Sequence, residues 1–247
     1  MWDAQLTAFA DRGWRVIAPH FRGFGVGVAG SDPIGTTSVP MGSDPVAVSA
    51  IDDYAGDVID LLDYLHIADA VVLGLSMGGY VAFAMLRLAA NYIHALVLAD
   101  TRPQADTPEG ASNRVRLAQL ARDRGVAAVV DNVLPKLVGE TTRRERPSVM
   151  SEVRTLGLAN SVAGVVGALD AMRTRPDSTD VLPTLHMPTL ILVGAEDALT
   201  PPVEAEAMHK AVTGSTLVVV PDAGHLSSLE NADVFNEALA KFLEHQV

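Results

Sequence analysis

An α/β fold, with a mostly parallel sheet covered by helices on both faces, is predicted by three observations. Short runs of strand-forming residues alternate with longer segments whose apolar residues recur at helical spacing. The stretch Val71–Tyr80, VVLGLSMGGY, passes from strand formers through a tight glycine-flanked turn straight into an apolar helical run. The chain has 247 residues, 49% of them apolar, enough to build the core of one large domain.

Taken in order, residues 2–12 read as a helix, with Trp2, Leu6, Phe9 and Ala10 at helical spacing and Gly13 closing it. Arg15–Pro19 (RVIAP) reads as a short buried strand. A long loop rich in Gly, Pro, Ser and Thr follows, to about residue 48. It contains Gly25-Val-Gly27-Val-Ala-Gly30, a formal G-x-G-x-x-G. A dinucleotide site would need a helix opening inside that motif, and Ser31-Asp32-Pro33 follows instead. Residues 50–66 form a helix whose face is Ile51, Tyr54, Val58, Leu61, Leu62 and Leu65.

The strand 71–75, the serine turn and a helix from Gly78 to about Ala90 come next, then a strand at His94–Ala99 ending at Asp100. From Thr101 to about Leu182 the alternation stops. This segment is mostly helical, carries the charged patch Arg143-Arg144-Glu145-Arg146, and is expected to be an inserted helical cap, leaving 1–100 and 183–247 as the core. Alternation resumes with a strand at Thr189–Val193, a turn Gly194–Thr200 and a helix 202–213. A strand at Thr216–Val220, a turn Pro221–His225 and a final helix from about 229 to 245 complete it.

The turn Gly74-Leu75-Ser76-Met77-Gly78 fits G-x-S-x-G, the strand-to-helix elbow that lifts a nucleophilic serine above a parallel sheet. Such a turn strains the serine backbone, and Gly74 and Gly78 are expected to let neighbouring backbone approach. The helix opening past Ser76 aims free N–H groups at a developing oxyanion. Taken alone, the same letters also fit a glycine-rich turn whose serine merely caps the helix.

A serine hydroxyl needs a base with a pKa near working pH, which points to histidine. The chain has seven: His20, His66, His94, His186, His209, His225 and His245. Only His225, in Pro-Asp-Ala-Gly-His, sits between the last strand and the last helix, at the sheet edge where Ser76 lies. His20 follows a strand at that edge and is a pocket candidate, a poorer one for the base. The imidazole in turn needs a carboxylate. Asp197, in Gly194-Ala-Glu-Asp197, follows the penultimate strand; Glu196 beside it should point the other way. Asp100 is the runner-up acid. The chain order nucleophile, acid, histidine favours Asp197.

GLSMGG, GAEDALTPP and PDAGHLSSLE resemble the nucleophile, acid and histidine segments of the α/β-hydrolase superfamily, and RVIAPHFRGFG resembles its early strand and loop. The likeness is to the small bacterial esterases and lactonases similar to 3-oxoadipate enol-lactonases and non-haem haloperoxidases. It implies an α/β-hydrolase fold, with Ser76 as nucleophile, Asp197 as acid and His225 as base. It further implies the Met77 N–H as one oxyanion donor and a helical cap at 101–182 that shapes the pocket; a serine mechanism of this kind needs no cofactor or metal. One departure stands out. The family carries about 25–35 further residues ahead of the position matching Met1, from typical strand and loop lengths. Those residues supply a central strand and a second oxyanion donor, which is unassigned here. The sheet would then have a gap between 15–19 and 71–75, or those two would pair directly.

The functional expectation is a serine hydrolase of carboxylic esters or lactones. The same three residues also fit C–C bond hydrolysis or cofactor-free perhydrolysis. A third alternative is a non-catalytic ligand binder. A net charge of −12 argues against nucleic-acid or anionic-membrane partners. With no cysteine, disulfides, thiolate metal sites and cysteine nucleophiles are excluded. The first residues, MWDAQLTAFADRG, lack the charged start and apolar core of a signal peptide, so a cytoplasmic location is expected. Oligomeric state is left open, a dimer included.

Overall fold

The computed structural model describes residues 1–24 and 50–246. The G-x-G-x-x-G stretch and most of the long loop expected before residue 48 lie outside the described residues. Among the described residues four strands, β1 (Ala70–Leu75), β2 (Ile93–Ala99), β3 (Thr189–Gly194) and β4 (Thr216–Val220), form one parallel sheet in that spatial order. Each crossover between neighbours carries helix, as parallel strands require. All of β3 is buried, and all of β2 except His94, so these strands are apolar on both faces.

Alternate side chains build two cores. On one face Leu96, Leu98, Ile191 and Val193 meet Ile51 and Tyr54 of α2 (Ile51–Tyr64), Phe83 and Met85 of α3 (Met77–Ala89), and Met208. On the other, Val97, Ala99, Leu190 and Leu192 meet Phe9 of α1 (Asp3–Ala10) and Phe235, Leu239 and Phe242 near the C-terminus. Helix α2 is anchored at its start by Asp53, whose carboxylate accepts the Ala50 N–H at 3.0 Å.

Between β2 and β3 the chain is helical: α4 (Pro108–Leu137), broken at Gly125 where φ is 79°, then α5 (Glu140–Glu145), α6 (Pro147–Leu158) and α7 (Val162–Arg173). Beyond β3 come α8 (Pro202–Ala211), a single turn α9 (Ser227–Glu230) and α10 (Ala232–Gln246). The last helix expected from about 229 to 245 is therefore interrupted at Asn231, whose backbone leaves the helical region (φ −140°, ψ 68°).

One expected strand is absent. Arg15–Pro19 runs as irregular chain, not as a β-strand. Residues 15–18 face Val71 and Leu73 across a cavity of about 180 Å³ that Trp2, Phe9 and Leu239 also line. Adjacent strands lie only ~4.8 Å apart. A segment held off β1 by a cavity of that size cannot share its hydrogen-bond ladder, whatever its β propensity. Of the two arrangements the sequence allowed, the gap is the one adopted.

The register brings the carboxyl ends of all four strands to one rim. Leu75 pairs with Ala99, Ala99 with Leu192, and Gly194 with Val220. Bonding continues past the strand ends, from Ser76 N to Ala99 O at 2.9 Å and from Asp100 N to Leu192 O at 2.9 Å. Ser76, Asp100, the 195–200 turn and the 221–225 turn therefore share that rim, the place where ligands bind in open α/β sheets.

Candidate active site

Ser76 stands between β1 and α3 with φ 52° and ψ −114°, a conformation that costs a non-glycine residue on the order of 1–3 kcal/mol. Its neighbours hold it there. Ser76 N donates to Ala99 O, and Thr101 Oγ1 donates to Ser76 O at 2.9 Å. The glycine roles differ from the expectation. A Cβ on Gly74 would overlap the Gly78 carbonyl, and one on Gly79 would overlap the Thr101 side chain. A Cβ on Gly78 would meet nothing within 4 Å among the described residues. The close approaches at the elbow are thus made at 74 and 79, because it is Gly79 that faces the end of β2.

The three side chains singled out by sequence meet. Ser76 Oγ lies 2.7 Å from His225 Nε2, and His225 Nδ1 lies 2.8 Å from Asp197 Oδ2. With Nδ1–H donating to the carboxylate, Nε2 is left as an acceptor for the serine hydroxyl. His225 is only 4% exposed, whereas the other six histidines are all exposed. His94 pairs with Asp69, and His209 with Ser215. His20 is exposed and continues the irregular stretch that replaced the expected strand.

Asp197, 3% exposed, is held as an anion by its own turn. Leu199 N and Thr200 N donate to Oδ1 at 2.8 and 3.0 Å, and Thr200 Oγ1 donates to Oδ2 at 2.6 Å. Burial pushes its pKa up, but the hydrogen bond and charge of His225, together with Thr200, outweigh burial and leave it below the ordinary aspartate value. Glu196 does point away: its carboxylate accepts from Thr141 N at 2.8 Å and Thr141 Oγ1 at 2.5 Å, on the helical insertion.

Asp100, the runner-up acid, makes no hydrogen bond with the imidazole. Oδ1 accepts from Gly194 N at 2.8 Å; Oδ2 accepts from Ser227 N at 3.2 Å and Ser227 Oγ at 2.5 Å. Burial raises its pKa to about 7, opposed by the nearby His225 and by the Ser227 and Gly194 donors. It links the ends of β2 and β3 to the turn that carries His225. Sequence reasoning missed Thr200, Thr101 and Glu230. Thr200 alone left a signal, since Asp-x-x-Thr spans the three residues over which a turn carboxylate bonds back to its own chain.

Met77 is the first residue of α3, so its N–H has no carbonyl four residues back within the helix and is aimed beside Ser76. The combination is one a nucleophilic hydrolase needs: a hydroxyl under strain, a base within hydrogen-bond reach, a buried anion behind the base, and a helix N-terminus at the attack point.

The chain belongs to the α/β hydrolase fold family, whose pattern it matches over residues 1–232. Among curated relatives it is similar to 3-oxoadipate enol-lactonase 2 of Acinetobacter baylyi, 26% identical over 242 residues, covering 97% of this chain and 82% of that protein. Among solved structures it superposes on a thermophilic esterase from Thermogutta terrifontis with a TM-score of 0.86 and 38% identity, over 98% of this chain and 84% of that one. It also superposes on the enol-lactonase from Burkholderia xenovorans LB400 with a TM-score of 0.73 and 30% identity, over 79% and 74% of the two chains. These relatives are hydrolases, and they accord with the resemblance read from the three motifs.

Proposed function

We propose that this protein hydrolyses carboxylic esters or lactones through an acyl-enzyme on Ser76. The observation that carries the reading is the unbroken chain of contacts from Ser76 Oγ through His225 to Asp197, at 2.7 and 2.8 Å. Ser76 Oγ attacks the carbonyl carbon as its proton passes to His225 Nε2. The oxyanion is met by the Met77 N–H, with a second donor unassigned. Collapse returns the proton from His225 to the departing alkoxide and leaves the acyl group on Ser76. Water then attacks the acyl carbon, His225 takes its proton, and the acid departs from Ser76 Oγ, which is reprotonated. In a lactone the alkoxide remains tethered to the acyl group, and the product is a hydroxy acid.

The esterase and lactonase names of the relatives support this substrate class. We assign residues 101–182 the role of a cap over the site, supported by its links to both catalytic turns. The test is turnover on a panel of short esters, long esters and lactones, with Ser76→Ala alongside. Removing the nucleophile from a triad acting as a unit is expected to cost about 10⁶ in turnover. Wild-type turnover in that variant would refute the mechanism. Turnover of a β-diketone with no ester cleavage would move the reading to C–C hydrolysis.

A further inference from the structure

His225 is flanked by two backbone N–H groups that go to one carboxylate. Glu230, on α9 and only 3% exposed, accepts from Gly224 N at 2.9 Å and Leu226 N at 3.1 Å through Oε1. Its other oxygen, Oε2, accepts from Gly139 N at 2.7 Å, and Gly139 lies on the helical insertion between α4 and α5. One buried carboxylate therefore holds the residues on either side of the histidine and, on its opposite edge, the insertion.

The surroundings tighten the same joint. A Cβ on Gly224 would overlap Gly139 N, so the two backbones touch. Arg146, at the start of α6, donates to the Glu230 carbonyl and to the Asp222 carbonyl, the latter at 2.6 Å. Leu226 and Leu229 pack against Leu134, Val138 and Val153 of the insertion. From the other catalytic turn, Glu196 grips Thr141. Residues 139–141 are thus held from both the acid's turn and the histidine's turn, and the Glu230 carboxylate joins the insertion to the two residues that flank the histidine.

We infer that Glu230 is a positioning residue that ties the alignment of His225 to the seating of the helical insertion. A buried carboxylate is stable only while its lone pairs are satisfied. If residues 139–141 lift away, Oε2 loses its partner, and the carboxylate turns toward whatever donors remain. That turn displaces Gly224 and Leu226, and the imidazole between them. Insertion and base then move as one unit, so the nucleophile is activated only when the insertion is seated over it. The inference rests on the hydrolase reading for its consequence, but the joint itself can be measured without turnover.

Glu230→Gln keeps size and shape but offers one acceptor oxygen. Whichever way its amide sits, either the 224/226 pair or the Gly139 N–H faces an NH₂ group. Hydrogen exchange on the intact chain, read by mass spectrometry, should show segments 134–145 and 221–230 losing protection together. A short alkyl fluorophosphonate forms an Oγ–P bond at Ser76 with loss of fluoride, the proton going to His225. Its second-order rate, per folded molecule, should fall about 10- to 100-fold, the cost of a misplaced catalytic group. A purely structural role would lower the labelled fraction and leave that rate unchanged. Loosening confined to one segment, or both segments loosened with labelling at the wild-type rate, would overturn the inference.

If Glu230→Gln does not fold, Thr141→Val serves. It weakens the insertion's seat from the Glu196 side and leaves Glu230 intact. Coupling predicts loosening at 221–230 as well and labelling slowed about 2- to 10-fold, as one net hydrogen bond is worth. Exchange altered only at 134–145 would refute it. Failure of wild-type Ser76 to label at all would count against the hydrolase reading, while the exchange result would still decide the joint.

Discussion

Thr200 shows how much a single hydroxyl can settle in a buried site. It donates to Asp197 Oδ2 at 2.6 Å and sits 3.2 Å from His225 Nδ1, so it braces the carboxylate oxygen that the imidazole meets. Thr200→Val is nearly isosteric and removes only that donor. A hydrogen bond to a charged, buried group is worth about 1.5–3 kcal/mol. Ester turnover should fall about 10- to 100-fold with KM little changed, and steady-state kinetics on the best substrate of the panel would check it. Asp197 was legible from chain order and its place after a strand. The choice of Oδ2 was not, because it depends on which oxygen the backbone N–H groups of Leu199 and Thr200 occupy, and only the folded turn defines that.

At the scale of an element, the elbow β1–Ser76–α3 is held by close approach at particular glycines. Gly74→Ala would drive a methyl into the Gly78 carbonyl, which belongs to rigid backbone; Gly79→Ala would drive one into the Thr101 side chain, which has some freedom to turn. Both are overpacked, at a cost of about 1–3 kcal/mol, the larger at 74. Gly78→Ala enters open space on a helix and should stay within about 1 kcal/mol of wild type. Urea denaturation of the three variants should give that order. The sequence showed three glycines around a serine, and their spacing identified the turn. Which two are indispensable was hidden, because the obstacles lie at the start of α3 and on Thr101. The strand expected at 15–19 failed for a related reason. Its β-branched residues are real, but a strand exists only with a neighbour close enough to bond.

Across the whole molecule, Asp100 is the carboxylate that ties β2, β3 and the histidine turn together, and burial raises its pKa to about 7. The sign follows from proton counting. Between the ordinary aspartate value of 3.8 and about 7, the folded state holds a proton that the unfolded chain has released. This group therefore favours folding most at low pH, and its contribution declines as pH rises through that window. Asp197 acts oppositely, since its depressed pKa supplies stability that is lost as pH falls through its folded value. Wild-type stability measured relative to Asp100→Asn should decline from about pH 4 to about pH 7 and level off above. A pH-independent difference in chemical denaturation would show that Asp100 is ionised in both states throughout.

The sequence by itself determined the class of fold and singled out three side chains that the structure brings into contact. Strand and helix periodicities are local, and the serine, acid and histidine each sit on a short turn whose place after a strand can be read in chain order. Only the tertiary structure decided what surrounds them. Glu230 spanning two segments, Asp100 bound to Ser227, Gly79 against Thr101 and the space between Arg15–Ala18 and β1 all join residues distant along the chain. Such contacts are set by how layers pack in three dimensions, and a pattern along one dimension carries no trace of them.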